Sequence, residues 1–180
     1  MERLYWLRVP SPWGSLRLLA TEDGLCRIVL PGEAGVERWV GRYRSGSVLE
    51  EGSPLLAGTA QQLEEYFEGK RRSFDLPLVL YGTPFQKTVW QALLEIPYGE
   101  TRSYQEVAAA IGRPQASRAV GAAIGANPVP IVIPCHRVVR SDGSLGGYGG
   151  GLFLKVALLQ LEGCPVHLPV VESSCPSGSR

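Results

Sequence analysis

After Gly82 this chain stops reading as strands and begins to read as short, capped helices, and that switch limits what it can fold into. Thr83-Pro84-Phe85-Gln86 supplies an N-cap, a proline at the first helical position and a Gln at N3. The helix it opens is predicted from Pro84 to about Glu95, closing at Ile96-Pro97-Tyr98-Gly99. Ser103-Tyr104-Gln105-Glu106 is a capping box for a second helix, to Ile111, which Gly112 stops. Arg113-Pro114 begins a third, to about Gly125. Two short helices joined by Gly112-Arg113 have the dimensions of a helix-turn-helix, although many all-α pairs look the same.

Before Gly82 the pattern is different. Leu4 to Val9, Leu16 to Ala20 and Leu25 to Leu30 are short apolar runs, and Asp23-Gly24 between the last two is a hairpin turn signal. Leu55, Leu56, Leu63 and Phe67 recur at helical spacing, so a helix is predicted from Pro54 to Gly69. Leu76 to Tyr81 reads as a strand or an extended connection, interrupted by Pro77. The expected organisation is a small α/β domain over residues 1–81, a sheet plus helix without chemistry of its own, followed by a mainly α domain over 82–163 and a flexible tail over 164–180.

With 180 residues, 44% of them hydrophobic, the chain can bury a core. Its longest apolar runs, such as Val129 to Pro134, fall far short of the roughly 20 residues that span a bilayer. The N-terminus lacks the apolar stretch and cleavage site of a secretory signal, so a cytoplasmic protein is expected. A net charge of +1 excludes a strongly basic coat for nucleic acid; any DNA contact must come from a local face. The 4 cysteines (Cys26, Cys135, Cys164, Cys175) are far apart, and the 2 histidines are His136 and His167. That is poor material for zinc or a disulfide framework, and neither a metal nor a cofactor is expected. The open question is whether one thiol is reactive.

Cys135 is the candidate. A thiol attacks as thiolate, so it needs a neighbour that takes its proton, and His136 is the next residue. Adjacency alone is weak, since a Cys-His pair is more often structural. The context adds to it: Asn127 to Pro134 is an apolar extended stretch whose three prolines exclude a helix, Arg137 adds positive potential, and a glycine-rich loop runs from Gly143 to Gly151. A last helix is predicted from Leu152 to Glu162, with Leu152, Val156 and Leu159 on one face. Glu162 sits at its C-terminal end, where a carboxylate is disfavoured by the helix dipole unless something compensates, and His136 would do so. A solvated Glu in a fraying turn is the competing reading. In the third helix, Ala116, Ser117, Ala119 and Ala122 are small around a single Arg118, which suits either tight helix packing or close approach to a ligand.

Phe85-Gln86-Lys87-Thr88-Val89-Trp90, Ile96-Pro97-Tyr98-Gly99-Glu100-Thr101, Arg118-Ala119-Val120-Gly121, Asn127-Pro128, Pro134-Cys135-His136-Arg137-Val138, Gly147-Tyr148 and Glu162-Gly163 together resemble the O6-alkylguanine-DNA alkyltransferase family. The resemblance is dense over residues 82–163. It implies a ribonuclease-H-like first domain and a winged-helix-like second one. It implies direct, single-turnover transfer of an alkyl group from O6-alkylguanine in DNA to Cys135, with O4-alkylthymine a second candidate substrate. His136 would act through a water, Glu162 would orient it and Asn127 would brace the loop. By the same matching Tyr104 contacts the flipped guanine, Tyr148 and Lys155 fall on pocket positions, and main-chain groups of Val138 and Gly149 read the base. Arg118 would fill the gap in the stack, with Ala116, Ser117, Ala119, Ala122 and Arg137 at the minor groove of double-stranded DNA, independent of sequence. A monomer is expected. The alternatives are a lesion-binding protein without transfer, which Cys135 argues against, a helix-turn-helix regulator and a cysteine hydrolase. The Cys-His-Glu set is expected to lower the thiol pKa below the free value of about 8.5.

Overall fold

The computed structural model describes residues 2–166, and it has two parts that share one core. In the first, strands β1 (Arg3–Ser11), β2 (Gly14–Ala20) and β3 (Leu25–Val29) form an antiparallel meander, with the β2–β3 turn at the Asp23-Gly24 signal. Helix α1 (Val36–Tyr43) then carries the chain to β4 (Val48–Glu51), which pairs parallel with β1, so the sheet order is β3-β2-β1-β4. Neither α1 nor β4 was expected. The Val36–Tyr43 stretch offers no side-chain N-cap, since its cap is Gly35 at φ 93°, and β4 has no buried residue. Helix α2 (Pro54–Phe67), capped by the Ser53 side chain, packs on β1 and β2. The segment over 76–81 is an extended connection: Leu25 N–H donates to the Pro77 carbonyl and Val79 N–H to that of Leu25.

In the second part, α3 (Pro84–Leu94) and α4 (Tyr104–Ala110) both begin at complete capping boxes, as their sequences require. Helix α5 is Ser117–Gly125, starting later than expected. Arg113-Pro114 instead forms a turn closed by Ala116 N–H on the Arg113 carbonyl at 2.9 Å. Two-residue strands β5 (Arg102–Ser103) and β6 (Val138–Val139) pair in parallel, and a single 3-10 turn, Cys135–Arg137, precedes β6. That ladder ties the start of α4, where Tyr104 stands, to the residues just after Cys135.

The last helix, α6 (Leu152–Leu161), buries Leu154, Lys155, Val156, Leu158 and Leu159. Leu152, expected on its core face, is exposed together with Phe153. Cys164, expected to begin a frayed tail, is buried against Leu145, Val156 and Leu159, with Val166 packed beside them. The rest of that tail, including His167 and Cys175, lies outside the described residues.

The main apolar core runs from Leu16, Leu18 and Leu56 through Tyr66 to Val89, Trp90, Val120, Ile133 and Leu158, crossing from one part into the other. Gly82, at the junction, is required by that packing: a Cβ there would meet the Trp90 ring at 2.5 Å.

Candidate active site

Cys135 stands at the foot of a cavity of about 880 Å³ between the two parts, lined also by Tyr104, Asn127, Arg140, Tyr148 and Gly149. The Asn127 to Pro134 stretch that leads to it, expected to be extended, is instead a tight loop with turns at 131–132. Asn127 Oδ1 accepts from Val129 N–H at 3.0 Å, Asn127 Nδ2 donates to the Ile133 carbonyl at 2.9 Å, and Ile133 N–H donates to the Val129 carbonyl at 2.9 Å. Between them Ile131 adopts φ 75°, a left-handed conformation costly for a β-branched residue, about 1–3 kcal/mol, that persists only where surrounding bonds over-determine it. Asn127 therefore braces the Cys135 loop through both ends of its amide.

His136 is fully buried, and its Nε2 lies 2.6 Å from Glu162 Oε2. With that nitrogen facing a carboxylate, Nε2 carries the proton and Nδ1 keeps a lone pair. Nδ1 is buried and has no hydrogen-bond partner among the described residues. Burial lowers the imidazole pKa below its ordinary value despite Glu162, so the ring rests neutral. Burial opposes ionisation of Glu162 too, but hydrogen bonds from His136, Arg137 and Tyr66 prevail and hold its pKa at about 2.

The thiol differs from expectation. Burial pushes Cys135 up to about 11, against the smaller opposing effects of the Asn127 hydrogen bond and the Lys155 charge. The resting sulfur is a protonated thiol beside a neutral imidazole, not a thiolate. The lowering expected from the histidine does not arise, because a neutral imidazole offers no charge to stabilise sulfur.

Two residues do work other than that expected of them. Arg137, expected at a DNA interface, is buried: its Nε donates to Glu162 Oε1 at 2.7 Å and its Nη1 to the Ile96 carbonyl at 2.6 Å. A buried guanidinium committed to a buried carboxylate is unavailable to a phosphate. Lys155 is also fully buried and does not line the cavity. Its ammonium donates to the carbonyls of Val138 (2.6 Å), Leu145 and Gly147 (3.3 Å), fastening the glycine-rich loop to the segment after Cys135. Burial lowers it to about 8.

The remaining expected residues fall in two groups. Tyr104 and Tyr148 are half-buried on the cavity wall, and the Tyr148 hydroxyl is buried without a partner among the described residues. Gly146, at φ 69°, lies so close to Tyr104 that a Cβ would meet its hydroxyl at 2.7 Å. Gly149 is exposed on the same wall. Val138 is buried, and its main chain is already engaged: N–H donates to the Cys135 carbonyl and C=O accepts from Lys155, leaving one carbonyl lone pair. Away from the cavity, α5 exposes Arg118, Ala119 and Ala122, with Ala116 and Ser117 half-buried at its start.

Sequence reasoning missed Tyr66 and Arg27. Tyr66, on α2, donates to Glu162 Oε2 at 2.5 Å across 96 residues. Arg27, on β3, donates to the carbonyls of Asn127 (3.4 Å) and Pro128 (3.2 Å) and pairs with Glu33. Both partners lie about half the chain away, so no local pattern marks either residue. Among the described residues no group of three or more His, Cys, Asp or Glu side chains could hold a metal ion.

Two family models match the chain: the 6-O-methylguanine DNA methyltransferase ribonuclease-like domain over residues 4–80 and the DNA binding domain of the same family over 84–164. A methylated-DNA–protein-cysteine methyltransferase of Methanosarcina barkeri is 47% identical over 88% of this chain and 97% of its own length. The constitutive one of Bacillus subtilis is 45% identical over 88% and 94%. The crystal structure of Mycobacterium tuberculosis OGT in complex with DNA matches with a TM-score of 0.77 at 44% identity, over 88% of this chain and 92% of that one. With both halves matched and the two-domain architecture shared, the chain belongs to the 6-O-methylguanine DNA methyltransferase family.

Proposed function

We propose that this protein repairs DNA by taking the alkyl group from O6-alkylguanine onto Cys135, once per molecule. The observation that carries the reading is the arrangement of a cavity-lining thiol beside a buried, neutral His136 that Glu162 holds at 2.6 Å. The sulfur attacks the alkyl carbon in line, the carbon–oxygen bond breaks toward guanine, and the thiol proton passes to His136 Nδ1 through a water. Glu162 stabilises the imidazolium that forms. The imidazolium then returns that proton, by way of water, to the guanine anion, which leaves neutral, and a thioether remains that no group in the site can cleave. O4-alkylthymine presents the same alkyl–oxygen bond and is a second candidate substrate.

A base stacked in a duplex hides its O6 substituent, so it must be extruded, at a cost of a few kcal/mol. In this reading α4 and α5 form a helix-turn-helix within a winged-helix-like domain over 82–163, while residues 1–81 form the ribonuclease-H-like domain. Helix α5 enters the minor groove, where Ala116, Ser117, Ala119 and Ala122 allow close approach without reading sequence. Arg118, exposed with no ion pair among the described residues, fills the vacated stack. Tyr104, Tyr148, the Val138 carbonyl and the Gly149 N–H surround the flipped base. Among the described residues no helix is long and apolar enough to cross a membrane, and the cytoplasm is the expected site of action.

The test is intact mass after incubation with duplex DNA carrying O6-methylguanine. The wild type should gain one methyl group, and Cys135→Ser should gain none while still binding the lesion DNA. A methylated Cys135→Ser protein would exclude Cys135 as the acceptor.

A further inference from the structure

Glu162 is more heavily solvated by protein than orienting one histidine requires. Its Oε2 accepts from the Tyr66 hydroxyl at 2.5 Å, from His136 Nε2 at 2.6 Å and from Arg137 Nη2 at 3.2 Å. Its Oε1 accepts from Arg137 Nε at 2.7 Å and from Gly99 N–H at 3.3 Å. Five donors saturate a carboxylate that has about four lone-pair sites. Four of them come from residues within the second half of the chain. Tyr66 comes from the first half, on α2, and it meets the same oxygen that His136 uses.

We infer that Tyr66 belongs to the proton path as a positioning residue, its hydroxyl holding the Glu162 carboxylate in register with His136 and limiting how strongly that carboxylate draws the imidazole proton. The inference rests on the path from Cys135 to His136 proposed above. Tyr66 is fully buried, and burial together with the Glu162 charge raises its hydroxyl pKa far beyond the ordinary phenol range, so it acts only as a donor. The three donors on Glu162 Oε2 share its electron density, the Arg137 bond at 3.2 Å being the longest. Each weakens the pull on the others' protons, so the Tyr66 bond tempers the basicity that Glu162 confers on the imidazole. His136 must rest neutral to receive the thiol proton and must accept it readily once substrate is bound. A carboxylate held by Tyr66 and Arg137 meets both needs: it stays ionised, and it raises the imidazole pKa too little to offset burial, so the ring rests neutral.

The other groups facing this pair are fixed in place. Arg137 and Lys155 lower the imidazole pKa by charge, and Tyr98 donates to the Leu161 carbonyl at 3.2 Å with its ring against the Tyr66 ring and the Arg137 guanidinium. Removing the Tyr66 hydroxyl leaves these in place, and Oε2 is then shared only by His136 and the longer Arg137 bond. The imidazole then becomes more basic, and more of it is already protonated at low pH.

Single-turnover transfer from saturating duplex carrying O6-methylguanine should be measured against pH for the wild type and for Tyr66→Phe. The wild-type rate should fall on an acid limb that lies below the ordinary histidine range, because burial lowers the pH at which His136 takes up a proton. In Tyr66→Phe the limb should move up by roughly 0.5–1 pH unit, giving about three- to tenfold slower transfer well below it and little change above it. A second variant keeps the size of the side chain: 3-fluorotyrosine at position 66 is a stronger donor and should move the limb down. A limb that is present in the wild type and unmoved in both variants, or a loss equal at every pH, overturns the inference and leaves the acceptor role of Cys135 standing. A wild type that transfers with no acid limb overturns the His136 proton path itself, and Tyr66 with it.

Discussion

At the scale of single residues, the resting state of Cys135 is the feature with most chemical consequence. A thiol held near 11 by burial is almost wholly protonated near neutral pH, and the neutral His136 that follows it in the chain has a ring nitrogen free to take a proton. The sign follows from burial: the folded state favours the protonated thiol, so it contributes stability below the unfolded pKa of about 8.5 and loses it as pH rises through about 11. Thiolate absorbance, taken as the difference between wild type and Cys135→Ser, should therefore appear near pH 11. A midpoint at or below that of free cysteine would show that the site ionises the thiol in advance. The pairing of Cys135 with His136 and Glu162 was readable from adjacency and from the dipole cost at the end of α6. The role of Arg137 was not, because its burial depends on Ile96, Tyr98 and Glu162, which other segments bring to it.

At the scale of elements, the role proposed for α5 would separate base extrusion from chemistry. Its exposed face carries Arg118 among alanines, remote from the sulfur in role, whereas its other face buries Val120, Ala123 and Ile124. Arg118→Ala should slow transfer in duplex DNA by roughly tenfold, about 1.4 kcal/mol of the extrusion cost, and should change reaction with free O6-benzylguanine little. Single-turnover rates on both substrates check this; a defect that disappears at saturating duplex and low salt would make Arg118 a phosphate contact instead. Local signals read these elements well. The capping boxes at Thr83 and Ser103 place α3 and α4 because cap and helix lie within four residues of each other. Helix α1 and strand β4 were illegible for the opposite reason: α1 has no side-chain cap, and β4 is a strand only because β1 lies beside it.

At the scale of the whole molecule, the first half grips the reactive half at both ends of its apparatus. Tyr66 holds Glu162, and β3 holds the Cys135 loop: Ile28 N–H donates to the Pro128 carbonyl at 2.9 Å, and Arg27 binds the carbonyls of Asn127 and Pro128. Arg27→Met removes the charged part of that grip and leaves the Ile28 bond. It should cost about 1–3 kcal/mol of stability and slow transfer to duplex DNA and to free base alike, unlike Arg118→Ala. Melting temperature and the two transfer rates check it; an unequal loss would tie Arg27 to DNA rather than to the loop. By itself the sequence determined the capped helices after Gly82 and pointed to Cys135, His136 and Glu162 as candidates through family resemblance, but its extended reading of Asn127 to Pro134 failed, because long-range bonds fold that stretch into a tight loop. The helices and the candidates rest on interactions within a few residues or on motif chemistry carried by side-chain type. Only the tertiary structure decided that burial holds the thiol protonated, that Arg137 and Lys155 serve as internal clamps, and that Tyr66 of the first half bonds Glu162. Burial and hydrogen-bond partnership set those properties, and both depend on which distant segments pack together.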